Sequence, residues 1–280
     1  MRTVSHGHDK PAGNQSLLRG FLLLEILSNY PNGCPLAHLA GLARLNKSTV
    51  HRLLQGLQAC GYVTSAPAAG SYRLTTKFIT VGQTSLAPPE VIRLIAPPLQ
   101  ALNAATGETV NFSRRDGDYC ILIHKLEPIT GMLRTRAYLG QQMTLFSSAM
   151  GKLFLADNTK DALFSYWARH QPHIRKLTPY TITDPGHMAR ELEDVRQRKM
   201  AFDREEHEVG VSCMAAPVFD AHQRVKYAIS LSLSSAKLRQ IDEETLLTPL
   251  RQTADALTQA LKALPDDTSI HAGPYSEARG

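Results

Sequence analysis

The sequence predicts an α+β fold in two unequal parts: a small module of helices closed by a β-ribbon, then a larger domain in which helices alternate with an antiparallel sheet. Three observations carry this. Residues 35–75 show two runs of helical periodicity separated by a short turn, then two strand-like runs around the turn 66–70. The formal excess of +6 lies entirely in residues 1–89, where Arg2, Lys10, Arg19, Arg44, Lys47, Arg52, Arg73 and Lys77 face only Asp9 and Glu25. From Val91 onward helical and strand periods interleave and charge balances, and 280 residues suffice for two separate cores.

Residues 1–15 are polar, rich in Gly, Ser and His, and are expected to be a flexible tail. Ser16 precedes an apolar run in which Leu17, Phe21, Leu24 and Leu27 build a first helix, the floor of the module, stopped before Pro31, Asn32 and Gly33. Pro35 suits a first helical position, and Leu36, Leu39, Ala40 and Ala43 give the second helix one buried stripe. Asn46 is placed to cap the next helix, whose apolar face is Val50, Leu53, Leu54 and Leu57. Gly61 ends it as a left-handed cap, and Tyr62, Val63 and Thr64 pair with residues 71–75. Helix, turn, helix and ribbon in this order make a winged helix-turn-helix, expected over residues 16–76. Phe78, Ile79, Val81 and Leu86 continue it as a linker helix over residues 77–90, interrupted by Gly82 and ended by Pro88 and Pro89.

The polar side of the helix after Asn46 points to a nucleic-acid partner. Asn46, Lys47, Ser48, Thr49, His51, Arg52 and Gln55, with Arg73 on the wing, are donors suited to phosphates and base edges, and the basic charge of this module adds a salt-sensitive attraction to double-stranded DNA. His51 suits a DNA contact and a structural polar role equally. The plain alternative is a helical pair used for packing alone; the charge asymmetry and the Lys-Ser-Thr start argue against it. An apolar linker helix is a natural contact between copies, and a homodimer or homotetramer would present recognition helices roughly 34 Å apart, hence a palindromic operator.

In the second part, residues 91–264, a helix is expected from Val91 to Ala105, with Pro97 and Pro98 either kinking it or starting a new one. A hairpin follows around Asp116, Gly117 and Asp118, another strand at residues 133–138, helices at 149–155, 162–168 and 188–198, strands at 214–219 and 227–233, and a final helix at about 243–264. Residues 265–280 read as a second flexible tail. No apolar stretch is long enough to cross a bilayer and the start is polar, so a cytoplasmic protein without membrane partner is expected. Cys34, Cys60, Cys120 and Cys213 lack paired metal-binding spacing and read as reduced thiols, mostly buried; no metal and no cofactor is expected.

The blocks QSLLRGFLLLEIL, NKSTVHRLLQGLQACGY, SAMGKLFLA, residues 196–220 and AISLSLS resemble, in order and separation, the IclR-type bacterial transcription regulators. Within that family the resemblance is greatest to repressors of operons for 2,3-diketogulonate and pentulose use. It implies a C-terminal effector-binding domain similar to GAF domains, and carries its pocket onto Ala149, Met150, Asp203, Cys213, Ser230 and Ser232, with Met132, Thr135 and Met143 on the apolar wall. The chemistry agrees: amides at the start of the 149–155 helix suit a carboxylate, Ser230 and Ser232 share one face of a strand, and Asp203 accepts from hydroxyls. An acidic, hydroxylated metabolite such as a sugar acid or keto acid fits that set. Met150 stands where a small residue is usual in the family, which counts against a very small keto acid. Arg134 and Arg136, two apart on the expected strand, read either as carboxylate partners or, as favoured here, a solvated stripe.

The expected activity is therefore repression of a sugar-acid catabolic operon, without catalysis. Activation by the same apparatus is the alternative, and an enzyme of sugar-acid metabolism using Cys213 with His207 is a more remote one. The acidic run Asp203, Glu205, Glu206, His207 and Glu208 reads as a solvated loop, with a metal site as its alternative.

Overall fold

The computed structural model describes residues 14–82, 87–131 and 133–262. Residues 1–13 and 263–280, the linker stretch 83–86 and Met132 of the expected pocket wall lie outside this description. The chain divides into two compact units, Met1–Ser85 and Leu86–Gly280.

The first unit begins with α1 (Gln15–Leu27), capped by Asn14, whose side chain accepts from the Ser16 amide. Helix α1 turns Gly20, Leu23, Leu24 and Leu27 inward, whereas Leu17 and Phe21, expected in the floor, are over half exposed. The run is apolar all round, so periodicity alone chose the wrong stripe. Cys34–Pro35 form a two-residue strand, β1, and Pro35 precedes rather than opens α2 (Leu36–Ala43). After the turn at Arg44 comes α3 (Lys47–Ala59), then the ribbon of β2 (Val63–Ser65) and β3 (Ser71–Leu74). Gly61, at φ +78°, ends α3 in a Schellman arrangement, with Gly61 N–H donating to Gln58 and Tyr62 N–H to Leu57. Strand β3 sits between β1 and β2, all antiparallel, with Thr64 opposite Arg73. Leu23, Leu27, Leu39, Val50, Leu54 and Val63 close the core. The expected linker is helical as α4 (Lys77–Gly82).

The second unit opens with α5 (Pro89–Thr106), which runs unbroken through Pro97 and Pro98. The remaining elements are β4 (Thr109–Asp116), β5 (Tyr119–Leu126), β6 (Gln142–Thr144), α6 (Ala149–Ala156), α7 (Lys160–His170), α8 (Pro185–Arg198), β7 (Ala201–Arg204), β8 (Val211–Phe219), β9 (Val225–Ser234), α9 (Ser235–Leu238) and α10 (Glu244–Lys262). One antiparallel sheet holds six strands in the order β6-β5-β4-β9-β8-β7. Val110, Phe112, Met214, Ile229 and Leu231 pack on α5 and α10 at one face; Leu122, Ala201, Ala215 and Ala228 pack on α6, α7 and α8 at the other.

Residues 133–138 are not a strand. Gln142–Thr144 pairs with Tyr119–Ile121 of β5 and Leu122 extends that pairing through Gln141 and Gly140, while the Thr135 and Ala137 carbonyls accept from the Lys125 ammonium and not from a strand. Arg134 and Arg136 are exposed there, in agreement with solvation and not with a carboxylate pocket. Strand β7, unforeseen, takes in Asp203, the first residue of the stretch read as a solvated acidic loop.

Candidate DNA-reading helix and ligand pocket

Helix α3 separates its two roles by face. Val50 and Leu54 are fully buried, while Lys47, Ser48, His51, Arg52 and Gln55 lie exposed along the other side at helical spacing. Thr49 is half-buried at the margin. Asn46 occupies the N-cap position in extended conformation, yet its side chain makes no capping bond, contrary to expectation. The first helical bond is from Val50 N–H to the Asn46 carbonyl, so the amides of Lys47, Ser48 and Thr49 precede the intrahelical ladder and face outward beside the exposed cations. Arg73 is exposed on β3.

In the second unit, α6 lies against the sheet with every residue from Ala149 to Ala156 buried. The approach is close at Gly151, where a Cβ would stand 2.4 Å from the Leu145 carbonyl oxygen. Ser148 caps the helix by accepting from Gly151 N–H at 3.1 Å, leaving the amides of Ala149 and Met150 ahead of it. Below lies a polar row across three strands. Asn111 Nδ2 donates to Ser232 Oγ at 3.0 Å and to Ser230 Oγ at 3.3 Å, and Cys213 Sγ is 3.1 Å from the same Ser232 hydroxyl. Ser113 Oγ donates to Met150 Sδ at 3.2 Å, so Met150 reaches down to the sheet. The structure thus gathers Met150, Asp203, Cys213, Ser230 and Ser232 on one face. Met143 packs at the Cys120 end of it, and Thr135 stands at the other, where Lys125 Nζ donates to the carbonyls of Thr135 and Ala137.

Sequence reasoning missed three members. Asn111 was legible as a polar residue alternating with buried Val110 and Phe112. Lys125 was not: a bulge between Phe112 and Ser113 shifts the register so that it faces Asn111 rather than the opposite layer. Lys152 is wholly buried, with Nζ 2.5 Å from Glu206 Oε1, 2.9 Å from Glu191 Oε1 and 2.8 Å from the Phe202 carbonyl. Its signal was a lone lysine in a helix apolar all round.

This lysine overturns the solvated-loop reading for two of its residues, since Asp203 and Glu206 are 3% and 5% exposed, whereas His207 and Glu208 are exposed as expected. Asp203 Oδ1 accepts from the amides of Glu206 and His207; burial, then the Glu206 charge, push its carboxyl up to about 7. Burial raises Glu206 and Cys213, and partial burial lowers His207. The Cys213 thiol meets Ser232, while His207 Nδ1 meets Ser147 at 3.3 Å, so no imidazole activates the thiol. Among the described residues no three His, Cys, Asp or Glu side chains converge as a metal site requires, and no helix is long and apolar enough to cross a membrane.

Four buried polar atoms of the β4, β5 and Thr135 region lack a hydrogen-bond partner among the described residues: Thr109 Oγ1, Asn111 Oδ1, His124 Nε2 and Thr135 Oγ1. Thr109 and Asn111 alternate with Val110 and so belong to the α6 face, where such atoms invite a bound molecule.

An exposed reading helix, together with a separate domain that has a polar interior face, defines a ligand-responsive class of DNA-binding regulator, and the chain belongs to the IclR family. A family model described as "IclR helix-turn-helix domain" matches residues 16–67, and "Bacterial transcriptional regulator IclR C-terminal" matches residues 83–259. The chain is 62% identical over 253 residues to the DNA-binding transcriptional repressor YiaJ of Escherichia coli K12, covering 90% of each. The Thermotoga maritima IclR crystal structure matches at TM-score 0.72 and 27% identity over 88% of this chain and 98% of that one. An IclR homolog from Microbacterium hydrocarbonoxydans, complexed with 4-hydroxybenzoate, shares the fold at TM-score 0.75 and 18% identity, covering 89% and 100%. The chain is a DNA-binding transcriptional regulator of this family.

Proposed function

We propose that the chain represses an operon for sugar-acid breakdown and that a small hydroxylated carboxylate, held between α6 and the sheet, sets its affinity for the operator. The observation that carries this is the buried polar face itself: Ser230, Ser232 and Asn111 in one row, with Thr109 Oγ1 and Asn111 Oδ1 unsatisfied. A carbonyl oxygen such as Asn111 Oδ1 asks for a donor, which a ligand hydroxyl supplies, and the leading amides of α6 favour the carboxylate. Lys125, facing Asn111 at the Thr135 end, is already paired with Glu127 at 2.8 Å, so the carboxylate is left to the α6 amides. The 4-hydroxybenzoate complex supports the idea that this fold accommodates a carboxylate of modest size. Met150 fills part of the space, so the ligand would lie along the row toward Thr135.

On the DNA side, Lys47, Ser48, Thr49, His51, Arg52 and Gln55 would enter the major groove, with Asn46 at its edge and Arg73 on the backbone or minor groove. Two copies, paired as a homodimer or within a homotetramer, would span both half-sites. A ligand acts only if it binds the DNA-competent and incompetent arrangements with different affinity.

The test is titration of purified protein onto the intergenic DNA beside its own gene, at two salt concentrations, with and without a panel of sugar acids and keto acids. Tight, competitor-resistant binding altered by one acid is expected. Ser230→Ala should keep DNA binding and weaken that response; an unaltered response counts against the pocket.

A further inference from the structure

A cleft of ≈ 380 Å³ wraps the free edge of β7, walled by α8 at Glu191, Asp194 and Val195 and by Phe202 on the strand. It lies apart from the polar row, because Phe202 alternates with Ala201 and Asp203, which face α6. Glu206 lines it and is 95% withdrawn from solvent, at 5% exposure. Its two oxygens differ: Oε1 holds the Lys152 ammonium, while Oε2 is buried with no partner among the described residues.

The local charge is unbalanced toward the negative. One buried ammonium, Lys152, is shared by two carboxylates, Glu191 and Glu206. Arg204, which also lines the cleft, does not correct this: its guanidinium lies over the Phe202 ring at 4.7 Å and pairs with Glu243 at 3.1 Å. His187 and Arg198 are exposed at the mouth. A carboxylate whose second oxygen is buried without a donor, on a residue that lines a cleft of ligand size, is costly empty and well suited to a charged N–H group. Phe202 and Val195 offer apolar wall for a short methylene chain.

We infer that this cleft is a second small-molecule site, distinct from the polar row, which takes an aliphatic primary amine with its ammonium against the Glu191 and Glu206 carboxylates. His187 and Arg198 at the mouth admit a carboxylate at the far end of such a molecule. The site lies beyond the effector reading and does not depend on it.

Calorimetric titration of the full chain tests this with putrescine and 4-aminobutanoate, and with butane-1,4-diol and butanoate as four-carbon controls. Both amines should bind saturably, one per chain, and raise the melting temperature; the diol and butanoate should do neither. Glu206→Gln, which keeps an acceptor for Lys152, should weaken amine binding about tenfold or more. Should that variant fail to fold, Asp194→Lys, at an exposed position of the cleft, should weaken binding without touching the Lys152 ion pairs. A crystal grown with putrescine should show it between α8 and β7. Absence of amine binding, equal binding of the diol, affinity unchanged in Asp194→Lys, or the amine seated elsewhere would each overturn the assignment.

Discussion

The Asp203 carboxyl, held up to about 7 against an ordinary 3.8, makes stability depend on pH in a stated direction. Between those values the folded chain retains a proton that the unfolded chain has released, so stability declines as pH rises through the window and the loss is complete above it. Asp203→Asn preserves an acceptor for the Glu206 and His207 amides and removes the titration. Its melting temperature relative to the parent should therefore rise from pH 5 to pH 8; a constant difference would show that Asp203 titrates normally. Lys152→Met leaves Glu206 and Glu191 without their shared cation and should cost about 3–5 kcal/mol in urea unfolding. Adding Glu206→Gln should restore part of that loss, since the two effects couple. Ser230 and Ser232 were legible from their spacing. Asp203 and Glu206 were not, because runs of acidic residues usually lie in water, and what reverses that here is a lysine some fifty positions earlier in the chain.

Among the elements, the reading helix was legible because its periodicity is clean: the polar side of α3 never interrupts the Val50 and Leu54 stripe. Helix α1 was legible as a helix but not as an orientation, since Leu17, Leu18, Phe21 and Leu22 are as apolar as the buried Leu23, Leu24 and Leu27. The contact between copies is expected on the linker helix, where Ile79 and Val81 are exposed, and the α1 row offers a second apolar surface for it. Phe21→Glu should leave the unit folded and lower the sedimentation coefficient toward that of a monomer at micromolar concentration; an unchanged coefficient would place the interface elsewhere. The segment at 133–138 alternates like a strand, yet alternation names a face and not a partner, and it is Gln142–Thr144 that pairs with β5. The bulge that turns Lys125 toward Asn111 leaves no mark in composition, because register belongs to a pair of strands rather than to one.

For the whole molecule, segregation of charge separates two tasks that were legible from counting alone: the basic excess lies in the first 89 residues, and the remainder is neutral. Operator affinity should fall steeply with salt, while the ligand response, housed in the neutral part, should change far less. Arg52→Ala should weaken operator binding and reduce the logarithmic salt dependence by about one for each phosphate that is no longer neutralised. Fluorescence anisotropy at several salt concentrations checks this, and an unchanged slope and affinity would remove Arg52 from the DNA-touching set. The six-stranded sheet ends at β6 and β7, three and four residues long, against eight to ten in β4, β5, β8 and β9. Edges so brief offer little template for another chain's backbone. Any pairing between copies of this regulator would therefore be left to side chains, whose complementarity limits the number that join, and not to strand addition, which has no natural end.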